Sequence, residues 1–281
     1  MRCLHALALL LALVGSAAAQ GDAKRGEYLV AAGGCIGCHT EDKGGAVAFA
    51  GGRAIETPFG TFFGPNITPD PQAGIGRWQA SDFVAAMRRG VRPDGSRYFP
   101  AFPYTSFTRI RDADLGDIWA YLRSVPPSGQ ASRPHDLGFP FSLRVLMAPW
   151  AWLFLEEGPF VGDATRPSEL DRGAYLAQAL GHCEQCHTPR DRLGALKADR
   201  HLAGVPGEGG KRIPNITPTR LGKWSDEELR EFLLSGITPD FESVNATMSE
   251  VVENTTSKLT PEDVAAVMAY LRAVPPLPTG E

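Results

Sequence analysis

The stretch CIGCH at Cys35–His39 returns as CEQCH at Cys183–His187, and this pair of pentapeptides decides how the chain is interpreted. In the pattern Cys-x-x-Cys-His, both thiols can form thioethers with the vinyl groups of a porphyrin, and the histidine becomes the proximal iron ligand. The two copies therefore predict two covalently bound haem c groups. The predicted cofactor-binding residues are Cys35, Cys38, Cys183 and Cys186, and the predicted proximal ligands are His39 and His187.

Two other kinds of site also use paired cysteines. A zinc ribbon draws four soft ligands into one tetrahedron, and this interpretation leaves His39 and His187 without a role. A thioredoxin-like site requires a βαβ setting, but the sequence shows no strand pattern around either cysteine pair. Haem attachment is the interpretation that uses every residue type of both motifs.

Residues 1–19 have the pattern of a secretory signal. Arg2 supplies a positive charge, residues 7–14 are apolar, and small residues at 17–19 form an A-x-A cleavage site. Cys3 lies inside this segment, so processing would leave four cysteines, all of them in the haem motifs. An exported chain with haem motifs and no cysteine left for a disulfide indicates the periplasm. The formal net charge of −4 disfavours nucleic acid as a partner.

The sequence around each motif is also repeated. RGEYL at residues 25–29 returns as RGAYL at 172–176, and PNITP at 65–69 returns at 214–218. A repeat of about 147 residues is too long for a solenoid unit and predicts a duplicated domain. We predict domain 1 at residues 20–127, an interdomain linker at 128–165 and domain 2 at 166–281.

Each copy has the pattern of a mainly α-helical domain. A capping box at residues 225–228 begins a helix that Gly236 ends, and Thr260 begins the last helix. Gly26 and Gly173 precede the two haem motifs, where a glycine would allow a second helix to approach closely. The expected fold class is therefore mainly α, with two tandem domains.

The linker contains an unbroken apolar run at residues 145–155, which includes Trp150 and Trp152. This run is too short to span a bilayer, and Pro149 is expected to interrupt any helix there. Two interpretations remain open. The run either packs between the two domains, or forms an exposed patch that contacts a partner or a membrane surface.

Further stretches of the chain resemble one protein family. They are AGGR at 50–53, TPFGT at 57–61, NITPD at 66–70, GIGRW at 74–78 and YFPAFPY at 98–104. With the two haem motifs, they resemble the multihaem cytochrome c subunits of bacterial periplasmic dehydrogenases for alcohols, gluconate and aldehydes, and of some molybdenum hydroxylases. The resemblance covers nearly all of the mature chain. It implies two class I cytochrome c domains that relay electrons from a dehydrogenase toward quinone or a terminal oxidase.

The chain departs from this family at the position of one iron ligand. Many members have PAMPY where this chain has PAFPY at 100–104, so Phe102 removes the usual sixth ligand of haem 1. Phe102 lies twelve residues after Gly90, and Met248 lies twelve residues after Gly236. Met248, in a predicted polar loop before the terminal helix, is therefore the predicted sixth ligand of haem 2. Many members also carry three haem motifs where this chain has two, so the match does not name the partner enzyme.

The sixth ligand of haem 1 has several candidates. His135 is the predicted ligand, because it is an unmatched nitrogen donor just after domain 1 and Asp136 could orient its imidazole. The alternatives are an open or water-filled position, Met87 or Met147. Three further residues are not expected to bind iron. Met268, like Met87, is expected in the core, and His182 and His201 are expected at the surface.

These features predict an electron-transfer protein without substrate chemistry of its own, in which the protein fixes the haem potentials and spacing. The alternative is a dihaem enzyme of the thiosulfate dehydrogenase or peroxidase type, with an open site at haem 1. A cysteine-ligated thiosulfate dehydrogenase would need a cysteine that the mature chain does not have. The expected partners are a periplasmic dehydrogenase as donor and a downstream cytochrome, quinone or oxidase as acceptor.

Overall fold

The computed structural model describes residues 21–207, 212–244 and 246–279. The predicted secretory signal at residues 1–19 lies outside the described residues. Over the described part, the chain forms two similar helical domains, a linker between them and one small antiparallel sheet. Within these residues, no helix is long and apolar enough to cross a membrane.

Domain 1 is organised around the crossing of its first and last helices. Gly26 lies at this crossing, where a Cβ atom would overlap the backbone carbonyl of Asp117. Glycine therefore allows the close helix approach that the sequence predicts. The elements of domain 1 are α1 (Ala23–Ala32), α2 (Cys35–His39), β1 (Ala54–Thr57), β2 (Gly60–Phe63), α3 (Ala80–Arg89), α4 (Tyr104–Phe107) and α5 (Asp112–Ser124).

The linker extends the sheet of domain 1 and then forms a helix. β1 and β2 make an antiparallel hairpin, and β3 (Asp136–Leu137) pairs with the other edge of β2. A turn of 3-10 helix leads into α6 (Met147–Phe154). The expectation that Pro149 interrupts any helix is wrong. Pro149 is the third residue of α6, within the first turn, where an amide N–H has no intrahelical acceptor to lose.

The apolar run at residues 145–155 has two faces. On the inner face, Ala151 is buried and the Trp150 indole donates to the carbonyl oxygen of Leu193 in domain 2 at 2.8 Å. On the outer face, Trp152 is 83% exposed and Leu153 is 58% exposed. Both interpretations of the run hold in part, because one face packs at the domain junction and the other is open to solvent.

Domain 2 repeats the plan of domain 1. Its first helix packs on its last, with Gly173 at the crossing, where a Cβ atom would overlap the facing backbone. The predicted capping box of Ser225 and Glu228 is present, Gly236 ends that helix at φ 75°, and Thr260 caps the last helix. The elements are α7 (Ser168–Tyr175), a π-helical turn (Leu176–Leu180), α8 (Glu184–His187), α9 (Pro218–Leu221), α10 (Asp226–Ser235), α11 (Ala246–Asn254) and α12 (Pro261–Ala273).

The two domains pack on each other through matched elements. α11 of domain 2 lies against α2 of domain 1, and α4 of domain 1 lies against the π-helical turn that precedes α8. One cluster of buried apolar side chains extends through both domains, and it includes Met87 and Met268, as the sequence predicts. Each haem motif therefore lies at the interface with the other domain.

Candidate haem sites

The two proximal histidines have the same hydrogen-bond partner in both domains. The Nδ1 atom of His39 lies 2.7 Å from the Pro65 carbonyl oxygen, and Nδ1 of His187 lies 2.7 Å from that of Pro214. A carbonyl oxygen can only accept, so Nδ1 carries the ring proton and the lone pair is left on Nε2. This is the tautomer that binds iron through Nε2. The repeated PNITP stretch was the sequence signal for these partners.

Each PNITP loop is held by a buried asparagine. Oδ1 of Asn66 accepts from the amide and hydroxyl of Thr68 at 2.9 and 2.7 Å, and its Nδ2 donates to the Ser128 carbonyl oxygen at 2.8 Å. In domain 2, Asn215 bonds the loop in the same way and donates to the Leu277 carbonyl oxygen at 2.8 Å. The asparagine thus fixes the proline carbonyl that orients each proximal histidine.

The donor set is electrically neutral, which fits a haem. Burial lowers the pKa of His39 and of His187, so both imidazoles stay uncharged and able to bind a metal. Burial also raises the pKa of the Cys35 and Cys183 thiols to about 12, as suits sulfurs destined for uncharged thioethers. Among the described residues, no three Cys, His, Asp or Glu side chains form a cluster that could hold a metal ion, as a zinc ribbon would require.

The predicted sixth ligand of haem 2, Met248, lies in α11 and is half-buried. The sequence predicts a polar loop before the terminal helix at this position, and the structure has a helix of nine residues instead. α11 packs against α2 of domain 1, so the residues around Met248 belong to the domain interface. Ligation of the haem 2 iron by the thioether of Met248 stays a prediction.

The matched position in domain 1 is aromatic. Phe102 lies in the turn before α4, with its ring centre 5.3 Å from that of Tyr98 and 5.7 Å from that of Phe107. A phenyl ring has no lone pair for iron, so this position cannot supply the sixth ligand of haem 1. The two domains therefore differ in chemistry at the same register.

A buried hydroxyl accompanies this difference. Tyr104 is fully buried, its ring centre lies 6.3 Å from that of Phe102, and its hydroxyl has no hydrogen-bond partner among the described residues. Burial raises the pKa of Tyr104 to about 12, so the group stays a protonated donor. An unsatisfied buried hydroxyl costs about 1–3 kcal/mol unless something accepts its proton. A propionate of a bound haem would be such an acceptor.

The structure places His135 beside the sheet of domain 1. Its ring packs against Phe62 and Phe99, with centre distances of 5.1 and 5.9 Å, and its Nδ1 accepts the amide N–H of Phe63 at 3.2 Å. Nδ1 therefore carries the lone pair, and the ring proton of the neutral imidazole is on Nε2. This is the tautomer opposite to that of His39. Iron ligation by His135 stays a prediction, and it requires this hydrogen bond to break.

His182 and His201 are not the exposed side chains that the sequence predicts, because both are half-buried. The ring of His182 packs edge-on against Phe107 of domain 1 at 5.2 Å between ring centres. Nε2 of His201 lies 3.1 Å from the hydroxyl of Tyr270 on α12. The domain interface covers His182 and the terminal helix covers His201, and neither contact could be seen from residues that are neighbours in the sequence.

The interface also brings the two haem motifs together. Glu184, inside the second motif, accepts a hydrogen bond from the Ser106 hydroxyl of α4 at 3.0 Å, and Gln185 donates to the same hydroxyl at 2.6 Å. On the side of the first motif, Glu250 of α11 accepts from Arg53 at 2.7 Å. Polar contacts thus join each haem motif or its flanking loop to the other domain.

The second cysteines of the two motifs lie near each other across this interface. Cys38 is exposed as a residue, but desolvation around its sulfur raises the pKa of the thiol, and the proximity of Cys186 raises it further. One of the two sulfur atoms predicted to hold each haem therefore lies close enough to its counterpart in the other domain for their charges to interact. This arrangement suits the passage of an electron from one group to the other.

Comparison with known proteins agrees with this site. A family model for cytochrome c matches residues 23–126 and again residues 170–275. The chain is 45% identical over 260 residues to a diheme cytochrome c-type protein from Cereibacter sphaeroides, covering 91% of this chain and 86% of that protein. It is 38% identical to the fructose dehydrogenase cytochrome subunit from Gluconobacter japonicus and 36% identical to the gluconate 2-dehydrogenase cytochrome c subunit from Pantoea cypripedii. These two alignments cover 89% and 95% of this chain but 52% and 64% of the respective relatives.

Each of the two family-model matches contains one haem motif and one PNITP loop. The predicted fold, two tandem cytochrome c domains of mainly helical structure, is confirmed. The resemblance to cytochrome c subunits of dehydrogenases is also confirmed by the relatives. The chain therefore belongs to the cytochrome c family.

Proposed function

We propose that this protein carries two covalently bound haem c groups and passes electrons from a dehydrogenase to a downstream acceptor. The observation that carries the proposal is the pair of Cys-x-x-Cys-His motifs whose histidines are both held by a proline carbonyl oxygen at Nδ1, so that Nε2 is left to bind a metal. Relatives include cytochrome c subunits of alcohol, gluconate and fructose dehydrogenases, which supports a dehydrogenase as the donor. They do not favour the dihaem enzyme as an alternative.

In this function, each haem supplies an iron that cycles between the ferric and ferrous states. The side chains hold and tune that group. Cys35, Cys38 and their counterparts tether it, and the Pro65 carbonyl oxygen keeps the His39 ring in one orientation with its lone pair on Nε2. The asparagine contacts hold the PNITP loops and so would keep each histidine ring in one orientation when the haem is bound.

We propose that the protein works in the periplasm, as a part of a respiratory chain. The support is the pattern of a signal peptide at residues 1–19, together with the two motifs to which haem would be attached after export. The acceptor is a cytochrome, a quinone or an oxidase. Because the chain spans about half the length of the fructose and alcohol dehydrogenase subunits that it matches, the identity of the complex is part of the proposal.

We also propose that the outer face of residues 145–155 contacts the dehydrogenase. Trp152 and Leu153 are exposed, and Leu153 borders a cavity of about 440 Å³ that reaches Glu184 and Thr188, on either side of the Cys186–His187 pair. A partner bound here would be close to haem 2. The run contains no Lys or Arg, and Glu156 and Glu157 follow it. The preceding Arg144 is turned onto domain 1, where it donates to the Arg97 carbonyl oxygen, so the run offers little basic charge to anionic lipid.

The direct test begins with haem content. We expect the exported protein to retain two haems per chain under denaturing electrophoresis, and a variant with Cys183→Ala and Cys186→Ala to retain one. The wild-type protein is then mixed with the dehydrogenase that copurifies with it, and the substrate of that dehydrogenase is added. Reduction of both haems supports the proposal, and a protein that stays oxidised while the dehydrogenase turns over with another acceptor contradicts it.

The contact surface has its own test in the same assay. Trp152→Ser with Leu153→Ser should slow reduction by the dehydrogenase and leave reduction by dithionite unchanged. Val161→Ser is the control, because Val161 is also an exposed apolar residue of the linker but lies outside the run. Equal slowing in the control, or wild-type kinetics in the double variant, would show that the run is not the contact. Flotation of the wild-type protein with anionic vesicles would assign the run to a membrane surface instead.

A further inference from the structure

The repeated Arg-Gly-x-Tyr-Leu stretch supplies one arginine to each domain. Arg172 binds Asp263 of the same domain, with 2.8 Å from Nε to Oδ1 and 2.6 Å from Nη2 to Oδ2. In domain 1, Arg25 binds Asp114 and Asp117. In each domain, the arginine lies on the first helix and the aspartate on the last, so these ion pairs join the two helices that cross within a domain.

The tyrosines of the same stretch instead form hydrogen bonds with residues of the other domain. The Tyr28 hydroxyl donates to Oδ2 of Asp263, and the amide of Thr260 donates to the Tyr28 oxygen at 3.2 Å. The Tyr175 hydroxyl donates to Oδ2 of Asp114. Each aspartate therefore holds the arginine of its own domain and the tyrosine of the other domain, and the two sets are related by the repeat.

These contacts are buried where they join the domains. Asp114 is 1% exposed, Asp263 is 7% exposed and Tyr175 is fully buried. A buried carboxylate needs its hydrogen bonds, because removal of one partner leaves a charged oxygen unsatisfied. Burial, with the hydrogen bond to Asp114, also raises the pKa of Tyr175, so its hydroxyl stays a donor. The two tyrosine contacts are thus specific points of attachment between the domains.

The helices that carry these tyrosines lead directly into the haem motifs. α1, with Tyr28, ends at Ala32 and α2 begins at Cys35; α7, with Tyr175, continues through the π-helical turn to Cys183. Fixing α1 and α7 on the opposite domain therefore fixes where each haem motif lies relative to the other. Contacts beside the motifs, such as Ser106 with Glu184, continue the same interface.

We infer that Tyr28 and Tyr175 are positioning residues that hold the two haem motifs at a fixed separation and so set the rate at which the two haems exchange electrons. This inference rests on the proposed function, because it assumes two haems in one relay. It goes beyond that function in assigning the exchange to a defined interface and two named hydroxyls. Neither tyrosine is in a Cys-x-x-Cys-His motif or at the sixth-ligand position, so both can be changed without removing a predicted haem ligand.

The test compares Tyr28→Phe, Tyr175→Phe and the double variant with the wild-type protein. A photoreduced flavin delivers one electron to the fully oxidised protein, and the redistribution between the haems is followed optically. We expect the wild-type exchange to be independent of protein concentration. Loss of each hydrogen bond frees one of the two helices that lead into the haem motifs. We therefore expect each single variant to exchange electrons more slowly than the wild-type protein and the double variant to be slower than either.

The matched control is Tyr121→Phe, which removes a tyrosine hydroxyl from α5 of domain 1, where the ring packs on Phe49 of the same domain. It should exchange at the wild-type rate. A second measurement uses paramagnetic resonance of the oxidised protein, in which magnetic coupling between the two haems should weaken in the double variant while haem content and visible spectra stay unchanged. If the double variant does not fold, the single variants carry the same test.

Two results would overturn the inference. One is a double variant with both haems bound that exchanges electrons at the wild-type rate. The other is a wild-type exchange rate that increases in proportion to protein concentration, because the electron would then pass between molecules. Failure of the dehydrogenase to reduce the protein, with rapid internal exchange still present, would instead contradict the proposed function and leave the inference standing.

Discussion

The two domains agree around the predicted proximal histidine and differ at the position predicted for the sixth iron ligand. In both, the proximal histidine faces a proline carbonyl oxygen at 2.7 Å and a buried asparagine holds the loop. At the matched distal position, domain 1 has Phe102 in a turn before α4, and domain 2 has Met248 inside α11. The two copies therefore share the haem motif and the partner of its histidine, whereas they differ in the residue at the position predicted for the sixth ligand.

A second difference lies two residues further along each copy. Tyr104 is buried with an unpaired hydroxyl among the described residues, and its counterpart Glu250 forms an ion pair with Arg53 of the other domain. Domain 1 therefore has a buried hydrogen-bond donor at this position. Domain 2 has a carboxylate there, and this carboxylate binds domain 1. The same fold thus gives two different settings at this position and an interface that is only approximately symmetric.

The largest expected effect comes from making domain 2 resemble domain 1. Met248→Phe removes the predicted thioether ligand, so the near-infrared band from sulfur to ferric iron should disappear from the oxidised protein. The reduced variant should also bind carbon monoxide at haem 2, where the wild-type protein does not. Retention of the full band would show that Met248 is not the ligand. Met268→Leu, at a buried core position, is the control and should leave the band unchanged.

The reverse change should make domain 1 resemble domain 2. Phe102→Met places a thioether at the matched register, and we expect a second near-infrared band and a higher potential for haem 1, because a thioether favours ferrous iron. Potentiometric titration with optical detection measures both effects. Phe107→Met is the control, since it adds a methionine to the same aromatic cluster. A spectrum identical to the wild type would mean that the turn before α4 holds this side chain away from the iron.

His135→Ala separates the alternatives for haem 1. Because Nδ1 of His135 accepts the amide N–H of Phe63, ligation through Nε2 would require a change of tautomer and the loss of this bond. If His135 is the ligand, the variant should show a high-spin signal from haem 1 and new carbon monoxide binding in the reduced state. A variant that keeps the wild-type spectrum, with carbon monoxide binding to haem 1 of the reduced wild-type protein, would favour the open position. A high-spin signal that appears only in the variant would establish His135 as the ligand that the sequence predicts.

The smallest expected effect concerns acid stability. Burial alone would raise the pKa of Asp263, but the hydrogen bonds from Arg172 and Tyr28 outweigh it, and the pKa is lowered. A lowered pKa in the folded state stabilises the protein above the ordinary aspartate value of about 4, and this contribution is lost as the pH falls further. Thermal unfolding of Asp263→Asn should therefore occur at a lower temperature at neutral pH and depend less on pH below about 4.

The control for this last prediction is Asp199→Asn, which changes an exposed carboxylate of domain 2. It should unfold as the wild type does across the whole pH range. If Asp263→Asn follows the wild-type pH dependence, the ion pair with Arg172 contributes nothing to stability.

Local patterns predicted the helix ends well, and packing explains where they failed. Ser225, Gly236 and Thr260 confirmed the expected starts and stops, because capping depends on residues three or four positions apart. Pro149 was expected to break a helix, but its position in the first turn makes it tolerable. His182 was expected at the surface, but α4 of the other domain covers it. A sequence pattern carries no information about which distant element covers a side chain.

The sequence by itself determined the chemistry that can be attached: the cysteine pairs, the adjacent histidines, the duplication and the missing thioether at Phe102. These features depend only on residue type and on short spacings along the chain, and the same spacings determine covalent haem attachment and helix periodicity. The tertiary structure decided how the two copies are joined. Tyr28 and Asp263 are 235 positions apart, and only the packing of the two domains brings the hydroxyl to the carboxylate. The separation of the haem motifs is therefore a property of the fold.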